Sequence, residues 1–303
     1  MILEKDGAGF KGKFFCGRLG YTIEIEAEGV SEEYVRRCAE TAENMSDALY
    51  HEICEAAKRY CLAFLRTEKD AQGEDFAVTE PYHRVTKDTP AEAVMQMCQF
   101  DTLYIDEIED ERQLYFTLGG NCDWEIEHGL EADILGGALF YLGGFEQVRA
   151  DSDYYRTGIG RQWNYALTEE QITADILARL EQIDGLESSG GVSEEEIDAA
   201  EQELQLLFPP EYRAILRKYG SIGFFAHEWT GLGFDGEGNV ITVTQREREL
   251  SAGLAEKLFV LENAGIDGII IAANEFGDVF QVQYDSCKQI HDSILEYLEH
   301  CLR

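Results

Sequence analysis

The sequence predicts an α+β fold class: two tandem domains, the second a mostly antiparallel sheet with flanking helices. Three observations carry this reading. A chain of 303 residues with 45% hydrophobic content is long enough for two ordinary cores. Segments of period 2 and period 3.6 come in separate runs rather than in strict alternation, the pattern of α+β rather than α/β proteins. Strong helix-start signals recur late in the chain, at Thr168 and Ser193, and open a second helix-and-strand series. The expected domains are 1–165 and 166–303. A boundary at Gly190, in Ser188-Ser189-Gly190-Gly191, is the competing division.

The elements follow in order. Residues 8 to 29 read as a hairpin: Phe10, Phe14 and Phe15, then Tyr21, Ile23 and Ile25, flank Gly17-Arg18-Leu19-Gly20. From Ser31 to about Arg66, Val35, Cys38, Ala42, Met45, Leu49, Ile53, Ala57, Tyr60 and Phe64 fall three or four apart, so a long helical region is expected. Ser31 caps its start, and Ser46-Asp47 is a candidate break. Residues 67 to 90, with Gly73, Pro81 and Pro90, read as a long loop. A short helix over Ala91 to Gln99 precedes strands at Thr102 to Ile108, Gln113 to Leu118 and Asn121 to Glu127. A fourth strand runs from Glu131 to Leu142, interrupted by Gly136-Gly137. Residues 158 to 164 read as the connection between halves.

In the second half, Thr168 with Gln171 opens a helix to Ile183. Ser193 with Glu196 forms a capping box before a helix carrying Ile197, Ala200, Leu204 and Leu207. Pro209 stops that helix, because a proline disfavours helical backbone in the residue before it, while Pro210 suits the first turn of the next. Tyr212, Ile215, Leu216 and Tyr219 continue that helix until Gly220 ends it. Strands are expected near Gly223 to Ala226, Gly231 to Phe234, Val240 to Thr244, Phe259 to Glu262, Gly268 to Asn274 and Val279 to Tyr284. Asp235-Gly236-Glu237-Gly238-Asn239 reads as the hairpin turn between the second and third of these. A helix from His291 to Leu302 closes the chain.

The order of these residues resembles the SUKH superfamily. The matching features are Ile197 and Glu201 on one helix, the Phe208-Pro209-x-x-Tyr212 step, Tyr219-Gly220, Trp229, Gly231-Leu232, Asp267-Gly268, Gly277-Asp278-Val279 and a terminal helix through Ile294 and Leu298. One departure is Gln205-Leu206-Leu207, where the family often has a glycine. The resemblance covers roughly the last 135 residues and implies an immunity protein of a polymorphic toxin system, binding and neutralising a toxin. Separately, Cys122, Trp124, Glu127, His128, Gly129, Leu130 and Gly144 resemble the terminal hairpin of a small uncharacterised family found beside toxin genes. That likeness implies a neighbourhood and no chemistry.

Charge narrows the partners. Sixty acidic against 25 basic residues give a net charge of −35, spread roughly as −22 before Gly191 and −13 after it. Nucleic acid and anionic membrane are excluded as partners, because phosphate binding needs concentrated Lys and Arg. A basic protein partner is favoured. The resemblance implies that this partner is a toxin, of nuclease type and so with a basic face for its substrate. No run reaches the ~18 to 20 apolar residues of a membrane helix, and no export signal opens the chain, so a cytoplasmic location is expected. Monomer and homodimer both stay open.

Catalytic and metal motifs are missing. There is no phosphate loop, no dinucleotide fingerprint, no H-E-x-x-H and no nucleophile elbow. The acidic runs Asp106 to Asp110 and Asp235 to Asn239 lack the twelve-residue calcium spacing. Eight cysteines are scattered without a C-x-x-C pair and read as free structural thiols. No enzyme, cofactor or metal is expected. The toxin-binding candidates are Glu228, Trp229, Asp235 and Glu237, which combine an aromatic with acids, together with Glu275 and Asp278. Three other readings compete: a regulatory scaffold for an endogenous protein, a DNA mimic, and an enzyme of unrecognised type.

Overall fold

A computed structural model describes residues 1–72, 76–147, 163–250, 253–265 and 268–303. The expected linker at 158–164 lies mostly outside them, as do Gly73 and Asp267. Two compact units result: residues 1–147 with Trp163–Leu167, and Thr168–Arg303.

The first unit is one seven-stranded sheet in chain order. Its strands are β1 (Ile2–Asp6), β2 (Gly9–Cys16), β3 (Tyr21–Ala27), β4 (Cys98–Ile105), β5 (Tyr115–Cys122), β6 (Leu130–Leu135) and β7 (Ala138–Gly143). All neighbours are antiparallel except β3 and β4, which run parallel. The reason lies between them, because a parallel pair needs a crossover. Here the crossover contains α1 (Glu32–Glu43), α2 (Asp47–Gln72) and α3 (Ala91–Met95). The helical region does divide at Ser46-Asp47, but α2 runs past Arg66 to Gln72. The residues expected at helical spacing, among them Val35, Cys38, Ile53 and Ala57, are buried in one core with Ile23, Phe100 and Leu118.

Two expectations for this sheet change. Gln113 to Leu118 and Asn121 to Glu127 are not separate strands: β5 runs unbroken through Gly119-Gly120. The glycine signal there is close approach, not a turn. A Cβ on Gly120 would sit 2.0 Å from the Gln99 carbonyl oxygen of β4. Conversely, Gly136-Gly137 is a true turn, splitting the expected fourth strand into β6 and β7.

The second unit has another seven-stranded sheet, wholly antiparallel, in the order β14-β13-β12-β11-β10-β9-β8. Its strands are β8 (Glu187–Ser188), β9 (Ile222–Phe224), β10 (His227–Trp229), β11 (Phe259–Asn263), β12 (Ile269–Ala273), β13 (Val279–Gln283) and β14 (Ser286–His291). Its helices are α4 (Glu169–Leu180), α5 (Glu194–Leu204), α6 (Pro210–Tyr219), α7 (Val240–Leu250) and α8 (Ile294–Cys301). Both capping boxes form, at Thr168 and Ser193. The main core joins Ile197, Leu204, Tyr212 and Ile215 to Phe259, Leu261, Ile271 and Leu298. A smaller cluster on the other parity of the strands, Val260, Ile270, Ala272 and Val282, packs with Val243 of α7.

The expected strand at Val240 to Thr244 is a helix, and Gly231 to Phe234 is no strand, so the acidic turn does not join a hairpin. The β-branched run VITVT favours a strand locally. Asn239 decides otherwise: its Oδ1 accepts the Ile241 and Thr242 N–H groups at 2.9 and 3.2 Å, which caps a helix start. Val240, Val243 and Thr244, at helical spacing, are then buried. Thr244 Oγ1 accepts the Val260 N–H at 3.0 Å, beside the bulge of β11. Tertiary burial overrides the local preference.

Candidate functional site

An open polar groove of about 590 Å³ lies at the β8–β9–β10 end of the second sheet, with Glu187, Gly223, Glu228, Glu237, Arg246 and Asn263 among its lining residues. Each wall has a local cause. On β10, successive side chains alternate, so Glu228 faces away from the Trp229 side. Glu187 comes from the short edge strand β8, where it sits opposite Gly223. Glu237 comes from the acidic loop, which is closed by the Gly231 N–H on the Gly238 carbonyl at 2.9 Å and by Asn239 Nδ2 on the Phe234 carbonyl at 2.7 Å. Arg246 comes from α7. Close packing holds the neighbouring chain: Gly220, with φ +73°, would place a Cβ 2.1 Å from the Gly190 carbonyl oxygen.

The charge balance of the groove is acidic. Glu187, Glu228 and Glu237 face one guanidinium, and Arg246 is already shared between Glu237 at 3.7 Å and Glu247 at 3.0 Å. Among the described residues Glu187 and Glu228 have no cationic partner. Carboxylates held in a polar hollow offer acceptors to a Lys or Arg side chain from outside.

The sequence candidates divide. Glu228 and Glu237 line the groove, Trp229 borders it while its side chain turns to the core, and Asp235 lies exposed in the adjoining loop. Trp229 is only 2% exposed, and its indole stacks on Tyr297 at 5.7 Å, so it is a core residue and no surface anchor. Glu275 and Asp278 sit in the turn after β12, whereas Asn263 and Gly265 of the groove precede it. A five-residue strand, roughly 17 Å long, separates the two places. Asp278 is tied into its own turn by Asn274 Nδ2 at 2.8 Å, and burial raises its carboxyl above the usual range.

Phe225 went unnoticed in the sequence. It stands at the tip of the β9–β10 hairpin, 77% exposed and with φ +52°. A bulky side chain in the left-handed region is strained, and such strain clusters at functional sites. The available signal was the pair Phe224-Phe225: on a strand only one of two consecutive aromatics can face the core. In the first unit a separate pocket of about 450 Å³ is lined by Tyr60, Phe64, Tyr141, Trp163 and Tyr165 with Glu125 and His128. Trp163 thus packs within that unit.

Two family models match parts of the chain. Residues 173–303 match SUKH_5, described as SMI1-KNR4 cell-wall. Residues 6–149 match DUF6985, a domain of unknown function. No curated protein matches the chain. The C-terminal half is therefore similar to a SUKH domain. Among the described residues no helix is long and apolar enough to cross a membrane.

Proposed function

We propose that this chain is an immunity-type binding protein whose C-terminal half captures a basic toxin domain in the cytoplasm and blocks it without catalysis. One observation carries the reading: the groove gathers Glu187, Glu228 and Glu237 beside the exposed, strained Phe225 hairpin. Acidic groups attract and orient a basic surface, and an exposed aromatic supplies the desolvated contact that sets affinity. A nuclease-type toxin must present a basic face to its substrate, and the acidic groove competes for that face. Phe225 takes the anchoring part that the sequence assigned to Trp229. The similarity of residues 173–303 to SUKH proteins supports the same reading.

A second reading, a regulatory scaffold binding an endogenous partner through the same groove, is favoured by the cell-wall description of the matched family. Co-expression with the toxin domain encoded next to this chain's gene separates the two. The proposal expects the full chain to restore growth and the double variant E228K/E237K to fail. Toxicity undiminished by the wild-type chain, with no complex on pull-down at low salt, contradicts it and leaves the scaffold reading.

A further inference from the structure

We propose that His227, Glu262 and Cys301 form a zinc-binding site where β10, β11 and α8 meet. His227 Nδ1, a Glu262 carboxylate oxygen and Cys301 Sγ all lie within 4.8 Å of one another. They come from three elements: the start of β10, the middle of β11 and the end of α8. Ligands around a tetrahedral zinc stand roughly 3.4 to 3.8 Å apart, so rotamer adjustments of the order of an ångström complete the set. A nitrogen, a carboxylate oxygen and a sulfur suit zinc better than the hard cations calcium and magnesium, which take oxygen ligands.

Charge supports the assignment. Glu262 is 4% exposed, and among the described residues it has no Lys or Arg partner. Its contacts are His227 Nδ1 at 2.9 Å and the Tyr297 hydroxyl, which donates to Oε2 at 2.7 Å. A buried carboxylate without a full countercharge is costly. One divalent cation with one carboxylate and one thiolate gives a neutral site. Binding sends the Cys301 thiol proton to solvent and leaves the imidazole proton on Nε2. Tyr297 then orients a ligand from outside the coordination sphere, a role that commonly accompanies metal sites. His227 and Cys301 are both partly exposed, which gives the metal an entry path and leaves the fourth position to water.

The sequence offered no such signal, because the ligands are separated by 34 and 38 intervening residues rather than paired as C-x-x-C. The site joins the last helix to the two strands under Trp229, so metal should stabilise this unit by linkage.

Cobalt(II) titration of the full chain, kept reduced, tests the assignment. The expected result is a thiolate-to-cobalt charge-transfer band saturating at one equivalent. C301S and H227A should abolish the band, C287S should keep it, and Y297F should weaken binding roughly tenfold. Zinc-edge absorption of the wild-type protein gives a readout independent of any variant: one sulfur among nitrogen and oxygen scatterers is expected. A band that survives C301S, or zinc bound by nitrogen and oxygen alone, overturns the proposal. The His291–His300 pair, with rings 5.1 Å apart, would give the latter result.

Discussion

Glu201 and Arg213 lock the α5–α6 corner: Arg213 Nη1 donates to Glu201 Oε2 at 2.6 Å. The other carboxylate oxygen of Glu201 accepts the Phe208 N–H at 2.8 Å, so one buried side chain fixes both the turn and the next helix. Removing Glu201 orphans the buried Phe208 N–H, while Arg213 keeps Glu194 and Asp198 at 2.7 and 2.8 Å. E201A should cost about 2 kcal/mol in urea unfolding followed by the burial of Tyr212 and Trp229. A loss below about 1 kcal/mol would show that the corner holds without it.

Gln205 ends α5 with φ 56° and ψ 38°, a left-handed conformation that most side chains resist. It opens the Gln205-Leu206-Leu207 stretch, where the resemblance departs from the family through the lack of a glycine. Q205G should therefore raise stability by roughly 0.5 to 1 kcal/mol, since the relief of strain exceeds the added chain entropy. Thermal unfolding of the two proteins side by side measures the difference, and a lower midpoint for Q205G contradicts the strain account.

The Tyr212 hydroxyl, fully buried, donates to the Thr230 carbonyl at 2.9 Å, next to the groove. Y212F keeps the ring and loses the bond. It should cost roughly 1 to 1.5 kcal/mol, and amide exchange at Leu232 and Val240 should accelerate, because the loop loses its tie to α6. Unchanged exchange would place the support elsewhere.

Asp133 of β6 is buried beside Glu131, where burial and then the neighbouring carboxylate push its carboxyl up to about 9. The Tyr115 hydroxyl and Thr117 also contact it. The unfolded aspartate titrates near 3.9. Between these values the folded state holds a proton that the unfolded state has released. Stability is therefore full below about pH 4 and declines as pH rises towards 9. D133N removes this slope. It should exceed wild type in stability at pH 8, with the gap narrowing towards pH 5, as denaturation at several pH values will show. A gap that widens on acidification contradicts the assignment.

The sequence made local grammar legible. Capping at Ser31, Thr168 and Ser193, the Pro209-Pro210 corner and the apolar stripes of α1, α2, α5 and α6 all follow from neighbours within a few residues. Non-local decisions were hidden. The strand-like VITVT became α7 because Asn239 caps it and β11 buries it, and Gly119-Gly120 marked a close approach instead of a turn. Edge elements β8 and β14 carry mostly exposed residues and so lack a period-2 apolar signal. At the candidate site, acidity singles out Glu228 and Glu237 in the sequence, and both line one groove. Trp229 is buried and the unnoticed Phe225 is exposed, because which aromatic faces out depends on the pairing register of β9 and β10.

The central proposal is that the Glu228–Glu237 groove with Phe225 binds a basic partner, and isothermal titration against a basic nuclease-type toxin domain tests it most directly. Wild type should bind at low salt with an affinity that falls as salt rises. F225A should bind at least tenfold more weakly, mainly through faster dissociation. E228K/E237K should lose most of both the affinity and the salt dependence. Equal binding by all three proteins would contradict the claim and move the interface off this groove.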